Sequence, residues 1–256
     1  MNVMKDWNSL QYTKFETERT QPVIDLIHRI SCSPASILDI GCGPGNSTNQ
    51  LRLHFPNAKL LGIESSDNML AKAEKTYPDL TFCRCVVPDE LDSIGKFDLI
   101  FFNACLQWVP DHRHLLPKLI SRLNDGGMLA VQMPLTKNAM FYQILEAQLS
   151  ADKWQHLRGM RNFHILTPHE TYDVLVQASP HVTMWDTTYY HALPSHSAVI
   201  EWYKGSGLRP YLDALDPVKA DEFLAELLER IQKSYPPQAD GSVILKMPRL
   251  FFTASK

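Results

Sequence analysis

The chain has 256 residues, of which 45% are hydrophobic and 21% charged, a balance typical of a folded globular protein and not of a disordered one. Its formal net charge of -3 at pH 7 gives no indication that nucleic acid or an anionic membrane is a general partner. No apolar run approaches the roughly 20 residues that a membrane-spanning helix needs, and the polar start of the chain lacks the apolar core of a signal peptide. We therefore expect a cytoplasmic protein.

Short apolar strands alternate with amphipathic helices in the first half of the chain. Strands are predicted at Ser36–Ile40, Lys59–Ile63, Leu80–Val86, Phe97–Asn103 and Met128–Met133, and helices at Ser47–His54, Asp67–Thr76 and Arg113–Leu123. Because the strands are almost continuously apolar and helices separate them, the pattern predicts an α/β fold with a mostly parallel sheet covered on both faces.

The pattern changes after Pro134. Helices are predicted at Asn138–Leu149, Pro168–Gln177, Ser197–Tyr203 and Pro217–Ser234, a turn at Gly205–Pro210, and strands at His181–His191 and Ser242–Thr253. We expect a single domain over residues 1–256. Its predicted parts are an N-terminal lid (1–30), an α/β core (31–134), helical cap insertions (135–180 and 195–240) and late strands (181–192 and 242–254).

The most informative segment is a glycine-rich turn between the first strand and the first helix of the core. It reads Ile37-Leu38-Asp39-Ile40-Gly41-Cys42-Gly43-Pro44-Gly45. Alternate glycines permit positive φ and let a ligand approach the backbone, and the following helix offers N–H groups to an anion. Glu64 closes the second strand, where an acidic side chain can bind the hydroxyls of a ribose. The segment therefore predicts a nucleotide-like ligand.

The residue pattern disfavours two other kinds of site. Dinucleotide binding uses G-x-G-x-x-G, whereas this turn reads GCGPGNS and carries Asp39 two residues before its first glycine. The five cysteines, for which we expect buried free thiols, are not followed by Cys or His at zinc-site spacing, so we expect no metal. Asn103 ends the fourth strand at the edge where open α/β sheets bind ligands.

The D-x-G-x-G-x-G form resembles the first motif of the class I S-adenosylmethionine-dependent methyltransferases, and the resemblance covers roughly Ile37–Met133. This implies a Rossmann-like fold with a seven-stranded sheet and a helical cap inserted near the C-terminus. Within that superfamily, nearly the whole chain is similar to the trans-aconitate methyltransferase family. The segments that carry the similarity are Asp39–Ser47, Asn103–His112, Gly127–Pro134, Glu201–Tyr211 and Tyr235–Lys246.

The resemblance implies roles for residues of the core. Asp39 and the first two glycines of the turn would hold the methionine end of S-adenosylmethionine, and Glu64 the ribose. Gln107 and Trp108 would lie near the methyl group. The residues implied in cofactor binding are Asp39, Gly41, Cys42, Gly43, Glu64, Ser65, Met69, Cys85, Val86 and Asn103. The acid that the family carries beside the adenine is missing after the third strand, and Asp89 is out of register to replace it.

A carboxylate substrate is already ionised at neutral pH, so its methylation needs no general base, and we expect positioning residues only. Several cationic groups would hold a polycarboxylate, and arginine binds carboxylate in a bidentate fashion. Arg209 is the leading candidate, because glycines and a proline shape its loop. The other candidates are Lys204, Tyr211, Arg249, Tyr12 and Arg19, followed by Arg161 and His164. Trp7, Tyr12 and Phe15 are predicted to form the lid or to pin the segment to the surface.

Three functions remain open at this point. The first is a methyltransferase that esterifies one carboxylate of trans-aconitate, acting as a monomer on a small molecule without nucleic acid or membrane. The second keeps the cofactor but methylates another carboxylate, such as that of a malonyl thioester. The third is a methyltransferase-like module that binds the cofactor without turnover.

Overall fold

The computed structural model describes residues 15–161 and 163–256. By its internal contacts the chain divides into two compact units. The core unit comprises residues 16–134, 163–187 and 250–256, and the insert unit comprises residues 135–161 and 188–249 together with Phe15. No helix among the described residues is long and apolar enough to cross a membrane.

The elements follow the predicted alternation of strands and helices. The strands are β1 (Ser36–Ile40), β2 (Lys59–Glu64), β3 (Thr81–Arg84), β4 (Phe97–Asn103), β5 (Leu123–Pro134), β6 (His181–Leu193) and β7 (Val243–Ser255). The helices are α1 (Glu16–Ile27), α2 (Asn46–His54), α3 (Asp67–Thr76), α4 (His112–Ser121), α5 (Met140–Leu149), α6 (Pro168–Ala178), α7 (His196–Lys204), α8 (Arg209–Asp213) and α9 (Pro217–Ser234). Short 3-10 helices lie at Leu91–Ser93, Leu106–Trp108, Thr136–Asn138 and Asp152–Leu157.

Within the described residues, seven strands form one sheet in the order β3-β2-β1-β4-β5-β7-β6. The strand β1 pairs in parallel with β2 and β4, β2 with β3, and β4 with β5. The predicted mostly parallel, seven-stranded α/β fold is confirmed. Strands β2 and β3 are added on one side of β1, and β4 and β5 on the other, so the carboxyl ends of the parallel neighbours β1 and β4 lie at a topological switch point, where α/β proteins bind ligands.

The strand β5 begins earlier than its apolar pattern indicates. Leu123 pairs with Phe97 across an irregularity in the register, so the polar turn residues are included in the strand. The backbone of Lys256 bonds to both Gly126 and Gly127, which extends the ladder at this end. Backbone pairing with neighbouring segments, and not side-chain hydrophobicity, sets this boundary.

Two segments differ from their predicted assignments in ways that bear on domain organisation. Residues 16–27, predicted as part of a lid, form helix α1 of the core unit, because Val23, Leu26 and Ile27 are buried. The insertion predicted at 135–180 ends near residue 162, since α6 packs on α4 within the core unit. The single-domain interpretation stays a prediction.

The insert unit is built around aromatic rings. Phe141 of α5 stacks on Tyr203 of α7 with the ring centroids 3.5 Å apart. Trp154 meets Phe223 of α9 edge to face at 5.0 Å, and its Nε1 donates to Glu226 Oε2 at 2.6 Å. Large buried rings contribute much of the packing free energy of a small unit, so these contacts join its helices.

Asp98 joins the starts of β1 and β4. Its Oδ2 accepts hydrogen bonds from the backbone nitrogens of Ala35 and Ser36, both at 2.9 Å, and its Oδ1 accepts one from Asn124 Nδ2 at 2.7 Å. These donors, above all Asn124, lower the pKa of Asp98 below its ordinary value. The ionised carboxylate therefore stabilises the edge of the sheet opposite the predicted ligand site.

We predict that Asp98→Ala lowers the free energy of unfolding by about 2 kcal/mol at pH 7, because several donors lose their acceptor. Since the folded pKa is depressed, this contribution is present above the ordinary pKa of 3.8 and is lost as the pH falls below it. Denaturant titrations between pH 7 and pH 3 measure both effects. The control is Asp173→Ala at an exposed position of α6, and equal stability of the two variants at pH 7 would contradict the prediction.

Candidate functional site

The glycine-rich turn leaves β1 with glycines in the left-handed region. The φ angles of Gly41 and Gly43 are 68° and 56°. The N–H groups of Gly41 and Cys42 donate to the carbonyl oxygen of Ile63 at 2.8 and 3.1 Å, which attaches the turn to the end of β2. A Cβ atom at Gly41 would lie 2.0 Å from Cys105 Sγ, whereas one at Gly43 would have no heavy atom within 4 Å. Gly41 is therefore required by packing, and Gly43 leaves space above the turn.

Asp39 is a buried carboxylate below this turn. Its Oδ2 accepts hydrogen bonds from Ser47 Oγ at 2.6 Å and Thr48 Oγ1 at 2.7 Å, both in the first turn of α2. Its Oδ1 is buried and accepts no hydrogen bond from any residue of the described ranges. Burial raises the pKa of Asp39 to about 6, and the nearby charge of Glu64 adds to the increase. A cationic group of a ligand would satisfy Oδ1 and favour the ionised form.

Glu64 ends β2 with its carboxylate held by backbone donors. Its Oε2 accepts from Gly43 N at 3.0 Å, and its Oε1 accepts from Ser65 N at 2.8 Å and Ser66 N at 3.0 Å. Ser66 caps α3 by accepting from Met69 N at 3.2 Å, and the Met69 side chain is buried. The predicted residues Glu64, Ser65 and Met69 thus lie at one strand–helix junction, where the carboxylate is oriented before any ligand binds.

The segment after β3 contains the predicted residues Cys85 and Val86. The N–H of Cys85 donates to Glu64 O at 3.0 Å, and the N–H of Val86 donates to Glu90 Oε2 at 2.7 Å. Asp89 is exposed, and Glu90, not Asp89, is the acid that reaches this segment. No local sequence pattern indicates this contact, because Glu90 lies in a turn without regular periodicity.

The carboxyl ends of β4 and β5 carry paired amides. Gln132 Nε2 donates to Asn103 Oδ1 at 3.1 Å, and the two residues are register partners on adjacent parallel strands. This contact orients the Asn103 amide. Gln132 was not among the sequence candidates, although counting the register of β4 against β5 could have indicated it.

Gln107 and Trp108 lie in the 3-10 helix after β4. Gln107 is buried and its Nε2 donates to Ala104 O at 2.7 Å. The backbone carbonyl of Gln107 accepts from His164 N at 3.0 Å, and the Trp108 ring meets Phe163 edge to face at 4.5 Å. The segment that starts at residue 163 therefore packs on this helix and adds an aromatic side chain that the sequence analysis did not single out.

The candidates for substrate binding are divided between the two units. Arg19 lies in the core unit on α1, and His164 is exposed in the same unit. The insert unit contains Arg161, Lys204, Arg209, Tyr211 and Arg249. Trp7 and Tyr12 lie outside the described residues.

Charged partners distinguish the candidates of the insert unit. Lys204 Nζ donates to Glu201 Oε1 at 2.7 Å. Arg209 begins α8, and its Nε lies 3.3 Å from Oδ2 of Asp213 at the end of the same helix. The turn predicted at Gly205–Pro210 thus ends in a short helix. Phe15 packs on Trp202 with the ring centroids 4.8 Å apart. Substrate binding by these residues stays a prediction.

All five cysteines are free. Cys42 and Cys85 are buried as expected, Cys32 and Cys105 are partly buried, and Cys83 is exposed, so the expectation of buried thiols is wrong for Cys83. Burial raises the pKa of Cys42 and Cys105 well above the ordinary thiol value. Cys42 within the glycine-rich turn and Cys105 beside it therefore stay protonated at neutral pH and act as packing groups.

We predict that Gly41→Ala destabilises the fold more than Gly43→Ala. Both substitutions place a side chain at positive φ, which costs about 1–2 kcal/mol, but only the first also overlaps Cys105, which adds about 1–3 kcal/mol. Denaturant midpoints of the two variants measure the difference. Equal midpoints would show that the turn can move away from Cys105.

We predict that Asp39→Asn stabilises the ligand-free protein at pH 7.5 while abolishing binding of S-adenosylhomocysteine. Because the folded pKa of about 6 lies above the ordinary 3.8, the ionised carboxylate lowers stability as the pH rises through that interval. The asparagine avoids this loss, which amounts to at most about 3 kcal/mol. Denaturation at pH 5 and pH 7.5, with calorimetry for binding, tests the prediction against Glu74→Gln on the exposed face of α3. A variant that is less stable than the parent at pH 7.5 would contradict it.

Comparison with known proteins identifies the family. The methyltransferase-domain family matches residues 15–179. Trans-aconitate 2-methyltransferase of Methylobacterium nodulans is 41% identical over 99% of both chains, and that of Yersinia pestis is 40% identical over 98% of both chains.

Solved structures share the fold. Phosphoethanolamine N-methyltransferase 2 of Haemonchus contortus, in complex with S-adenosyl-L-methionine, has a TM-score of 0.59 at 15% identity and covers 97% of this chain and 56% of its own. The YcgJ protein of Bacillus subtilis has a TM-score of 0.56 at 13% identity, with 91% and 97% covered. The chain is an S-adenosylmethionine-dependent methyltransferase and belongs to the trans-aconitate 2-methyltransferase family.

Proposed function

We propose that the enzyme transfers the methyl group of S-adenosylmethionine to one carboxylate oxygen of trans-aconitate and releases the monomethyl ester. The observation that carries this proposal is the extent of the similarity. The relatives named trans-aconitate 2-methyltransferase match 98–99% of the chain, including the whole insert unit, which lies outside the cofactor motifs. A shared cofactor domain alone would leave the acceptor open, whereas similarity across the insert unit supports a shared acceptor.

The residues of the core unit fit the cofactor. Asp39 Oδ1 is a buried acceptor without a donor among the described residues, which suits the ammonium group of the methionine moiety. The backbone of Gly43 has open space above it, and the Glu64 carboxylate is held by backbone donors at the end of β2, where it can accept from the ribose hydroxyls. When bound, S-adenosylmethionine supplies an electrophilic methyl carbon on a sulfonium.

The protein's own contribution is positioning. A carboxylate nucleophile is ionised at neutral pH, so no residue needs to remove a proton. Asn103, oriented by Gln132, presents its amide at the carboxyl end of β4. Trp108 and Phe163 meet edge to face after β4, and an aromatic surface of this kind would exclude water from the nucleophile. Removing water from the nucleophile and aligning it with the methyl group would then accelerate the transfer.

The adenine is proposed to bind without a carboxylate partner from the end of β3. Val86 N already donates to Glu90, and Cys85 is buried. Backbone and apolar contacts from this segment would hold the base. The loss of one charge-assisted hydrogen bond weakens cofactor binding by about 1–3 kcal/mol relative to relatives that carry an acid.

The cysteines and the net charge bear on the compartment and the partners of the enzyme. The five free cysteines suit the reducing cytoplasm, and a net charge of -3 gives no general attraction to nucleic acid. We propose a cytoplasmic monomer, which light scattering on the purified protein would test.

We predict that the purified enzyme methylates trans-aconitate to a base-labile ester and does so faster than related di- and tricarboxylic acids. The measurement uses labelled S-adenosylmethionine with a panel that includes cis-aconitate, citrate, isopropylmalate and a malonyl thioester. Asp39→Asn, which is predicted not to bind the cofactor, is the negative control. Faster turnover of the malonyl thioester would identify the thioester, and not trans-aconitate, as the acceptor. Cofactor binding without methylation of any acid would overturn the proposed function.

A further inference from the structure

The segment between β4 and α4 begins and ends in an unfavourable backbone conformation. Among the described residues, 15–161 and 163–256, the non-glycine residues at positive φ are Ala104 at 52° and Asp111 at 54°. Ala104 is the first residue after β4, and Asp111 is the last residue before α4. Residues other than glycine persist in this conformation only where surrounding contacts hold them, and they concentrate at functional sites. The contacts that hold this segment therefore bear on its role.

Hydrogen bonds fix both peptide groups of Ala104. Its N–H donates to the carbonyl oxygen of Gln132 on β5 at 2.9 Å, and its own carbonyl oxygen accepts from Gln107 Nε2 at 2.7 Å. The next residue, Cys105, packs its Sγ 2.0 Å from the point where a Cβ atom of Gly41 would lie. The start of the segment is thus fixed between β5 and the glycine-rich turn.

His112 holds the other end of the segment. It is the first residue of α4, its side chain is buried, and its Nε2 lies 2.9 Å from the carbonyl oxygen of Leu106. Because a carbonyl oxygen can only accept, Nε2 carries the hydrogen. Burial lowers the pKa of His112 below its ordinary value of 6.5, so the ring is neutral at neutral pH. A neutral ring on α4 thus bonds to the first residue of the 3-10 helix Leu106–Trp108.

The fold does not need this hydrogen bond to satisfy the backbone. The carbonyl oxygen of Leu106 already accepts from Val109 N at 3.0 Å, so it has a donor without the histidine. An apolar side chain at position 112 could fill the same volume without the cost of removing an imidazole from water. The buried ring of His112 is better explained by the position that it imposes on the 3-10 helix.

The 3-10 helix carries the residues that are predicted to lie near the methyl group. The carbonyl oxygen of Gln107 accepts from His164 N at 3.0 Å, and the ring of Trp108 meets that of Phe163 at 4.5 Å. Gln107 Oε1 is buried and accepts no hydrogen bond within the described residues, which is unfavourable for the fold alone. A small movement of this helix would displace both side chains.

We propose that His112 is a positioning residue for methyl transfer, whose Nε2–H group holds the 3-10 helix so that Gln107 and Trp108 meet the acceptor in the orientation that transfer requires. This assignment rests on the proposed function for the location of Gln107 and Trp108 beside the methyl group. The acceptor carboxylate is already ionised, so His112 is assigned no proton transfer.

Two polar substitutions separate the donor from the side chain that carries it. The amide nitrogen of glutamine can replace Nε2 of histidine, whereas the shorter asparagine reaches only as far as Nδ1. His112→Asn is expected to lower kcat for trans-aconitate about 30-fold, because misplacing the reacting groups by about 1 Å can cost about 100-fold. Its KM and its affinity for S-adenosylhomocysteine are expected to stay within about 3-fold of the parent, as is kcat of His112→Gln.

Controls distinguish positioning from loss of stability. His169→Asn, at an exposed position in the first turn of α6, is the matched control and should leave kcat unchanged. Thermal unfolding shows which variants are folded. His112→Phe keeps a buried ring without a donor, is expected to show the same fall in kcat as His112→Asn, and decides the proposal if His112→Asn does not fold.

Amide hydrogen exchange measures the position of the segment without turnover. With S-adenosylhomocysteine bound, residues 104–112 are expected to exchange faster in His112→Asn than in the parent, and at the parental rate in His112→Gln, because only the first substitution removes the donor. If the parent methylates no acid, the proposed function is overturned and this comparison decides the role of His112. Equal exchange in His112→Asn and the parent would then overturn it.

Two kinetic outcomes would overturn the proposal while the function stands. The first is a folded His112→Asn or His112→Phe variant whose kcat stays within about 2-fold of the parent, because misplacement would cost more than this. The second is an equal fall in kcat in His112→Gln and His112→Asn, which would show that the Nε2–H contact is not the reason. A fall in kcat in His112→Asn that His112→Gln restores, at unchanged KM, supports the proposal.

Discussion

The attachment of the glycine-rich turn to the end of β2 is the constraint on which the site in the core unit depends. The carbonyl of Ile63 accepts from two consecutive N–H groups of the turn, and the next residue, Glu64, accepts from Gly43. Because both contacts come from one strand end, the turn and the acidic side chain are placed together. This geometry requires positive φ at Gly41 and Gly43, which explains why these two positions of the turn are glycines.

The same arrangement makes the ligand-free core unit less stable than it could be. Asp39 is buried with one oxygen that accepts no hydrogen bond within the described residues, and burial raises its pKa to about 6. An asparagine at position 39 would make the ligand-free fold more stable, whereas the carboxylate of Asp39 binds a cationic ligand more tightly. Strain and unfavourable burial of this kind are common where binding, and not stability, has determined the residue.

The insert unit uses a different principle. Arg161 lies on the ring of Tyr142, and Tyr142 packs against Tyr203 and Gly207, so side-chain packing and not backbone conformation defines this arrangement. The core unit recognises a cofactor through features common to many methyltransferases. The similarity to relatives named trans-aconitate 2-methyltransferase extends across the insert unit as well.

Local sequence patterns were sufficient to predict those helices and strands whose bounds are determined by neighbouring residues. The bounds of β1, β4, α3 and α9 follow from apolar runs, from periodicity and from caps such as Ser66 and Asp216, all of which act over a few residues. The turn after β1, with Asp39 and Glu64, was predicted for the same reason. Tertiary structure decided the contacts between distant residues: Gln132 on Asn103, Cys105 against Gly41, and Arg161 on the ring of Tyr142. These depend on strand register and on how rings fill the interior, which no pattern within a short stretch of sequence encodes.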